Sequence, residues 1–167
     1  MRAYVGLGAN LGDRLAALRH AAARLAARAD TEVVGASAVY ETEAHVLPGT
    51  PPQPDHLNAV LALDTRLAPR ALLRVLHGIE RAAGRDPDGR RWAPRPLDLD
   101  LLLYGSRQLD VADLQVPHPA LAARAFVLRP LADLAPDAPV PGTGATVADL
   151  LAACPDTGRL AETPHRL

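Results

Sequence analysis

Between residues 91 and 104 the chain reads Arg91-Trp92-Ala93-Pro94-Arg95-Pro96-Leu97-Asp98-Leu99-Asp100-Leu101-Leu102-Leu103-Tyr104. Leucines at 97, 99, 101 and 103 alternate with Asp98, Asp100 and Leu102, which is the period of a strand. Side chains leave a strand on alternate faces, so Asp98 and Asp100 share one face. Two carboxylates so placed repel one another unless a cation neutralises them or one takes a proton. A hard divalent ion such as Mg²⁺ prefers one or two carboxylates completed by phosphate oxygens and water. The arginines just upstream suit the phosphates. The stretch therefore proposes a metal–nucleotide site. A strand edge carrying two solvated aspartates is the plainer alternative.

The elements around it must position these groups. Arg2 to Leu7 reads as a first strand, followed by a glycine-rich turn over Gly6 to Asp13 and a helix capped near Asp13. The glycine spacing departs from a dinucleotide-binding fingerprint, because Leu11 stands where glycine is needed. Leu15, Leu18, Ala22 and Leu25 give that helix an apolar stripe to about Arg28. Glu32 to Tyr40 reads as a second strand. It empties into a long loop over 41–55 with four prolines and His45, a length that suggests a lid. Leu57 to Leu67 alternates as a third strand, opening on Asn58, whose amide offers donors and acceptors to a heterocycle edge or to a turn.

Pro69 opens a second helix whose stripe is Leu72, Leu76, Ile79 and Ala83, with Gly84 at its end. Glu80 lies off the stripe, where it could orient a nearby arginine. A second loop, residues 85–90, delivers the acidic strand, and Gly105 closes it. Val111 to Val116 is short and irregular. His118 is braced between Pro117 and Pro119, ahead of Arg124 and Phe126. Leu131 to Leu134 reads as one helical turn and Val147 to Ala153 as a short helix, and the polar remainder carries no evident chemistry. The order strand, helix, strand, strand, helix, strand predicts an α+β fold. It is the ferredoxin-like split βαβ sandwich, with an antiparallel sheet, both main helices on one face, and C-terminal extensions.

Composition narrows the function. With 167 residues and 49% hydrophobic content, one core and one domain over 1–167 are expected. A formal net charge of -1 advertises neither nucleic acid nor an anionic membrane. No leader or membrane-length apolar run is evident. A single cysteine, Cys154, excludes an internal disulfide and fits a cytoplasmic setting. All 18 basic residues are arginine, which excludes a phosphate loop built on lysine. Arginine is therefore weighed by position, not by type.

At this point the residues resemble a family. Arg91-x-Ala93-Pro94-Arg95-x-x-Asp98-Leu99-Asp100-Leu101-Leu102 is similar to the signature of 6-hydroxymethyl-7,8-dihydropterin pyrophosphokinases. The run from Gly6 to Gly12, Gln53-Pro54-Asp55-x-Leu57-Asn58, Gly84-Arg85 and Val116-Pro117-His118-Pro119 with Arg124-x-Phe126 resemble it too, in the same order. The likeness covers about residues 2–137.

The resemblance implies transfer of pyrophosphate from ATP to the pterin hydroxymethyl group, with release of AMP. By resemblance Asp98 and Asp100 bind two Mg²⁺ ions. Arg85, Arg91, Arg95, His118 and Arg124 would meet phosphates, and Trp92 would brace the arginine loop. Arg85 and Arg95 would act in catalysis beside the aspartates. Thr42, His56, Asn58 and Phe126 would hold the pterin. Small-molecule partners and a monomer are expected. Pro87 replaces an arginine frequent in the family, and His56 replaces an aromatic residue. A ferredoxin-like RNA-binding module is the rival from another class, but it needs strand aromatics for stacking. A two-metal nucleotidyltransferase is the rival within enzymes, and it would release pyrophosphate instead of AMP.

Overall fold

The computed structural model describes residues 1–44, 53–85 and 95–167. His45, Pro87, Arg91 and Trp92 lie outside them, so the expectations placed on these four residues and on the interiors of the two loops are not addressed by the structure.

Burial along the first strand, β1 (Arg2–Ala9), alternates, with Ala3, Val5, Leu7 and Ala9 turned to one face. The strand runs two residues past its expected end, so Gly6 and Gly8 belong to it and not to a turn. Helix α1 (Arg14–Ala26) follows. The Asp13 carboxylate caps it by accepting the Ala16 N–H at 3.0 Å, satisfying a donor that has no intrahelical acceptor.

The expected second strand is two strands, β2 (Thr31–Ala36) and β3 (Tyr40–Thr42). The register of β2 on its neighbour slips between Val33 and Gly35. Beyond it, Ser37 exchanges bonds with Val60, donating through its backbone N–H and accepting at its hydroxyl, each at 2.9 Å. A serine standing in for a ladder partner is not visible to a pattern of apolar residues.

Both strands pair with β4 (His56–Thr65), which is buried over most of its length. Helix α2 (Pro69–Ala82) begins with proline in its first turn and is followed by Gly84 at φ +90°, a conformation glycine adopts without steric cost. The acidic strand, β5 (Asp98–Tyr104), closes the far side of β1. With β10 (Leu160–Glu162) at the other edge, the antiparallel sheet runs β10-β3-β4-β1-β5.

Leu18, Ala21 and Leu25 of α1 and Leu72, Leu76 and Ile79 of α2 pack on one face of the sheet, against Val5, Leu7, Leu61 and Leu99. The opposite face is covered too. Helix α3 (Ala125–Leu134) starts six residues before the expected turn and contains Pro130. It packs with α4 (Val147–Ala152) over Val60, Leu102 and Leu103. The C-terminal extensions thus form a third layer.

The leucine alternation of β5 fails at one point. Val5 pairs with Leu101 but Tyr4 with Leu103, so Leu102 is the extra residue of a bulge. Leu103 consequently joins the second core and not the first. Val111 to Val116, expected to be short and irregular, belongs to a hairpin of β6 (Leu109–Val111) and β7 (Leu114–Val116). A small pairing of β8 (Pro139–Val140) with β9 (Ala145–Thr146) precedes α4. Every described helix is too short or too polar to cross a membrane.

Candidate functional site

Cross-strand neighbours build the floor of a pocket of about 690 Å³. Gly8 of β1 pairs with Asn58 of β4 on one side and Asp98 of β5 on the other. One row along, Gly6 pairs with Val60 and Asp100. Directly paired residues point to the same face, so Asn58 and Asp98 flank a bare glycine at two strand spacings, about 10 Å. The floor stays open because the middle strand offers no side chain. A Cβ at position 8 would meet Asn58 Oδ1 at 3.2 Å.

Every expected site residue among the described ones lines this pocket: Thr42, His56, Asn58, Arg85, Arg95, Asp98, Asp100, His118, Arg124 and Phe126. The ten come from β3, β4, β5, the loop after α2, and the segment from β7 to α3. On one side, Asn58 donates to the Thr42 hydroxyl at 2.7 Å, and both are buried. Phe126 sits in the first turn of α3, with the Arg124 guanidinium 5.7 Å from its ring centroid, within reach of a cation–π contact.

On the other side the charges gather. Arg85 Nη1 lies 2.7 Å from Asp98 Oδ1, and Arg95 Nη1 lies 3.1 Å from the same oxygen. Arg85 is itself gripped by Glu80, which also accepts the Leu99 N–H at 2.8 Å. Glu80 is only 2% exposed, and burial pushes its carboxyl up to about 7, against the opposing pull of Leu99 and Arg85. The expected orienting role for Glu80 is thus seen at Arg85.

Asp100 contrasts with Asp98. Its Oδ1 is 4.0 Å from His118 Nε2, beyond hydrogen-bond range. Its side chain lines the pocket and is 40% exposed, and desolvation by nearby protein, followed by the charge of Asp98, raises its pKa. His118 is held by its backbone N–H, which donates to the Leu102 carbonyl at 2.9 Å. Its Nδ1 accepts the Ala120 N–H at 3.2 Å, which places the ring proton on Nε2, toward Asp100. Burial lowers the His118 pKa, so the neutral ring is a donor at this spot.

The carboxylate pair fits a hard cation. Among the described residues no cluster of three or more His, Cys, Asp or Glu side chains is placed to hold a metal. Two oxygens on one wall leave the remaining positions to phosphate and water, as magnesium prefers. Burial first, and then the repulsion from Asp98 that a cation would relieve, raise the pKa of Asp100.

Asn10 was not singled out by sequence. It is 2% exposed, accepts the Arg95 N–H at 2.8 Å on its side-chain oxygen, and donates its own N–H to the Arg95 carbonyl at 3.2 Å. Its amide also reaches Gln53 at 3.4 Å. Its sequence signal was its place in the Gly6 to Gly12 run that resembles the family, just past the end of β1.

The chain matches the family model for 7,8-dihydro-6-hydroxymethylpterin-pyrophosphokinase over residues 4–136. It is 46% identical over 157 residues to the 2-amino-4-hydroxy-6-hydroxymethyldihydropteridine pyrophosphokinase of Pseudomonas aeruginosa, covering 94% of each chain. The enzyme of that name from Methylorubrum extorquens is 44% identical, with 94% of this chain and 96% of the relative covered. Among solved structures, the wild-type HPPK-DHPS of Plasmodium falciparum superposes with a TM-score of 0.64 at 14% identity over 91% of this chain. This chain spans 43% of that longer one, and the likeness there is one of fold.

Proposed function

Since the chain belongs to the 7,8-dihydro-6-hydroxymethylpterin-pyrophosphokinase family, we propose that it transfers the pyrophosphoryl group of ATP to the hydroxymethyl group of 6-hydroxymethyl-7,8-dihydropterin for folate synthesis. The observation that carries this reading is the glycine floor, with Asn58 on one side and the Asp98–Asp100 wall on the other. A flat heterocycle held at Asn58 extends its hydroxymethyl arm across the floor toward the acidic wall.

The pterin hydroxyl oxygen attacks the β-phosphorus of ATP, the bond from that phosphorus to the oxygen of the α-phosphate breaks, and AMP leaves. Such a reaction needs positioning and charge neutralisation more than covalent help. Asp98 and Asp100 would hold two magnesium ions, which when bound neutralise the phosphates and make the attacking hydroxyl easier to deprotonate. Arg85 and Arg95, now paired with Asp98, turn their forks to the phosphoryl oxygens. The neutral His118 offers its Nε2–H and Arg124 its charge to the same triphosphate. Thr42 and Asn58 read the pterin edge, while Phe126 and His56 cover its faces.

We read the strand order as the ferredoxin-like split βαβ arrangement, with residues 1–167 acting as one monomeric domain in the cytoplasm. Incubation with ATP, Mg²⁺ and the reduced hydroxymethylpterin tests the reaction. AMP and the pterin pyrophosphate are expected, one for one. Release of free pyrophosphate would mark nucleotidyl transfer, and the absence of any pterin-dependent AMP would end the proposal.

A further inference from the structure

The stretch that follows α4 joins the two sides of the pterin half of the pocket. Asp156 Oδ2 accepts the N–H of Ala125 at 3.0 Å, the residue between Arg124 and Phe126. The first N–H groups of a helix lack intrahelical acceptors, and Arg124, at the N-cap of α3, makes no side-chain bond to them. A carboxylate from 31 residues away fills that place.

The same short segment then reaches the opposite side. The Arg159 carbonyl accepts the Glu43 N–H at 3.2 Å, and its guanidinium pairs with Asp55. Both roots of the segment between β3 and β4 are therefore tied to one residue. Strand β10 follows, pairing Leu160 with Thr42, and the Thr163 N–H and hydroxyl both donate to the Val39 carbonyl at 2.9 Å. Without β10, three-residue β3 would be an edge strand.

These ties bracket a second cavity of about 180 Å³, whose lining includes Thr42, Glu43 and Phe126 together with Asp156, Gly158 and Arg159. The first three also line the main pocket. At its far end α3 is held to β3 independently, by the Tyr40 hydroxyl donating to Asp133 at 2.8 Å. The first turn of α3, which carries Phe126, depends on Asp156.

We propose that Asp156 and Arg159 are positioning residues for the pterin, fixing the distance between Thr42 and Phe126 across which the ring enters. The stretch lies beyond residues 4–136 matched to the family model. The inference rests on the reading that Thr42, Asn58 and Phe126 hold the pterin. It deepens that reading by assigning pterin affinity, and not ATP affinity, to this strap.

The test is calorimetric titration of the full chain with the reduced hydroxymethylpterin and, separately, with a non-hydrolysable ATP analogue and Mg²⁺. Asp156→Ala and Arg159→Ala should each weaken pterin binding roughly 3- to 30-fold and leave analogue binding within about twofold, the size expected for one lost cap or partly exposed pair. In turnover, the pterin KM should rise while kcat at saturation holds. Asp156→Asn, which keeps an acceptor for the Ala125 N–H, should restore the affinity. Unchanged pterin binding, or equal weakening of both ligands with a lowered Tm, overturns the proposal. Phe126→Ala separates the two levels: if it too leaves pterin binding intact, the pterin wall itself is misplaced, whereas a loss there alone sinks only the strap.

Discussion

Arg85 Nη1 stands 2.7 Å from Asp98 Oδ1, on a carboxylate oxygen that a cation would need. In the proposed reaction the guanidinium and a metal ion would therefore compete for Asp98 until nucleotide phosphates drew the arginine away. Arg85→Ala should tighten binding of Mg²⁺ or Mn²⁺ to the nucleotide-free protein. It should also lower kcat/KM by roughly 10²–10³, the range for losing one donor to developing charge. Metal titration followed by calorimetry, together with steady-state rates, reads both effects. Weaker metal binding in the variant would show that Arg85 does not compete.

Asp98→Ala and Asp100→Ala should each reduce turnover at least about 10³-fold while Tm stays within a few degrees, since both side chains are partly open to the pocket. The pair should differ in acid. The Asp100 pKa is raised by burial and then by Asp98, so protons would compete with a cation at the proposed site more strongly than at an unperturbed carboxylate. Removing Asp98 takes away one of the two causes, and the midpoint for Asp100 should move down. Carboxyl NMR of the wild type and Asp98→Ala checks the direction, and an upward move would contradict it.

Glu80 predicts a pH dependence of stability. Its carboxyl titrates near 4.5 when unfolded and at about 7 when folded. The folded state therefore holds a proton that the unfolded chain has released. Stability from this group is complete below pH 4.5 and is lost as pH climbs to about 7, on the order of 2–3 kcal/mol. Glu80→Gln keeps an acceptor for the Leu99 N–H but cannot titrate there. Urea unfolding from pH 4 to 8 should show the wild type losing stability relative to the variant as pH rises. Parallel curves would mean that Glu80 is already ionised throughout.

Much of the arrangement of this candidate site was legible because it depends on residue type and short spacing. Asp98 and Asp100 had to share a face once the strand period was read, and Pro69 and Gly84 marked the ends of α2 by backbone rules alone. What escaped the sequence depends on partners distant along the chain. Ser37 replaces a ladder contact to Val60, Asn10 holds Arg95 across 85 residues, and Leu102 bulges because of its register on β1. The strap after α4 looked merely polar because its partners, Ala125, Glu43, Val39 and Asp55, lie far from it along the chain. Neither helix nor strand periodicity carries that information.

The glycine floor yields the sharpest separation between the two substrates. At position 8 a methyl group would come within 3.2 Å of Asn58 Oδ1, so Asn58 must give by a few tenths of an ångström. Asn58 is held by its bond to Thr42 at 2.7 Å, and moving it would disturb the edge proposed to read the pterin. Alanine costs less backbone entropy than glycine in a strand, so the fold itself should tolerate the change. Gly8→Ala should thus raise the pterin KM about tenfold, equivalent to ~1.4 kcal/mol, with Tm unchanged or slightly higher and the ATP KM within about twofold. The comparison is two sets of initial rates, varying one substrate with the other saturating. A rise confined to the ATP KM would place the nucleotide, and not the pterin, over Gly8.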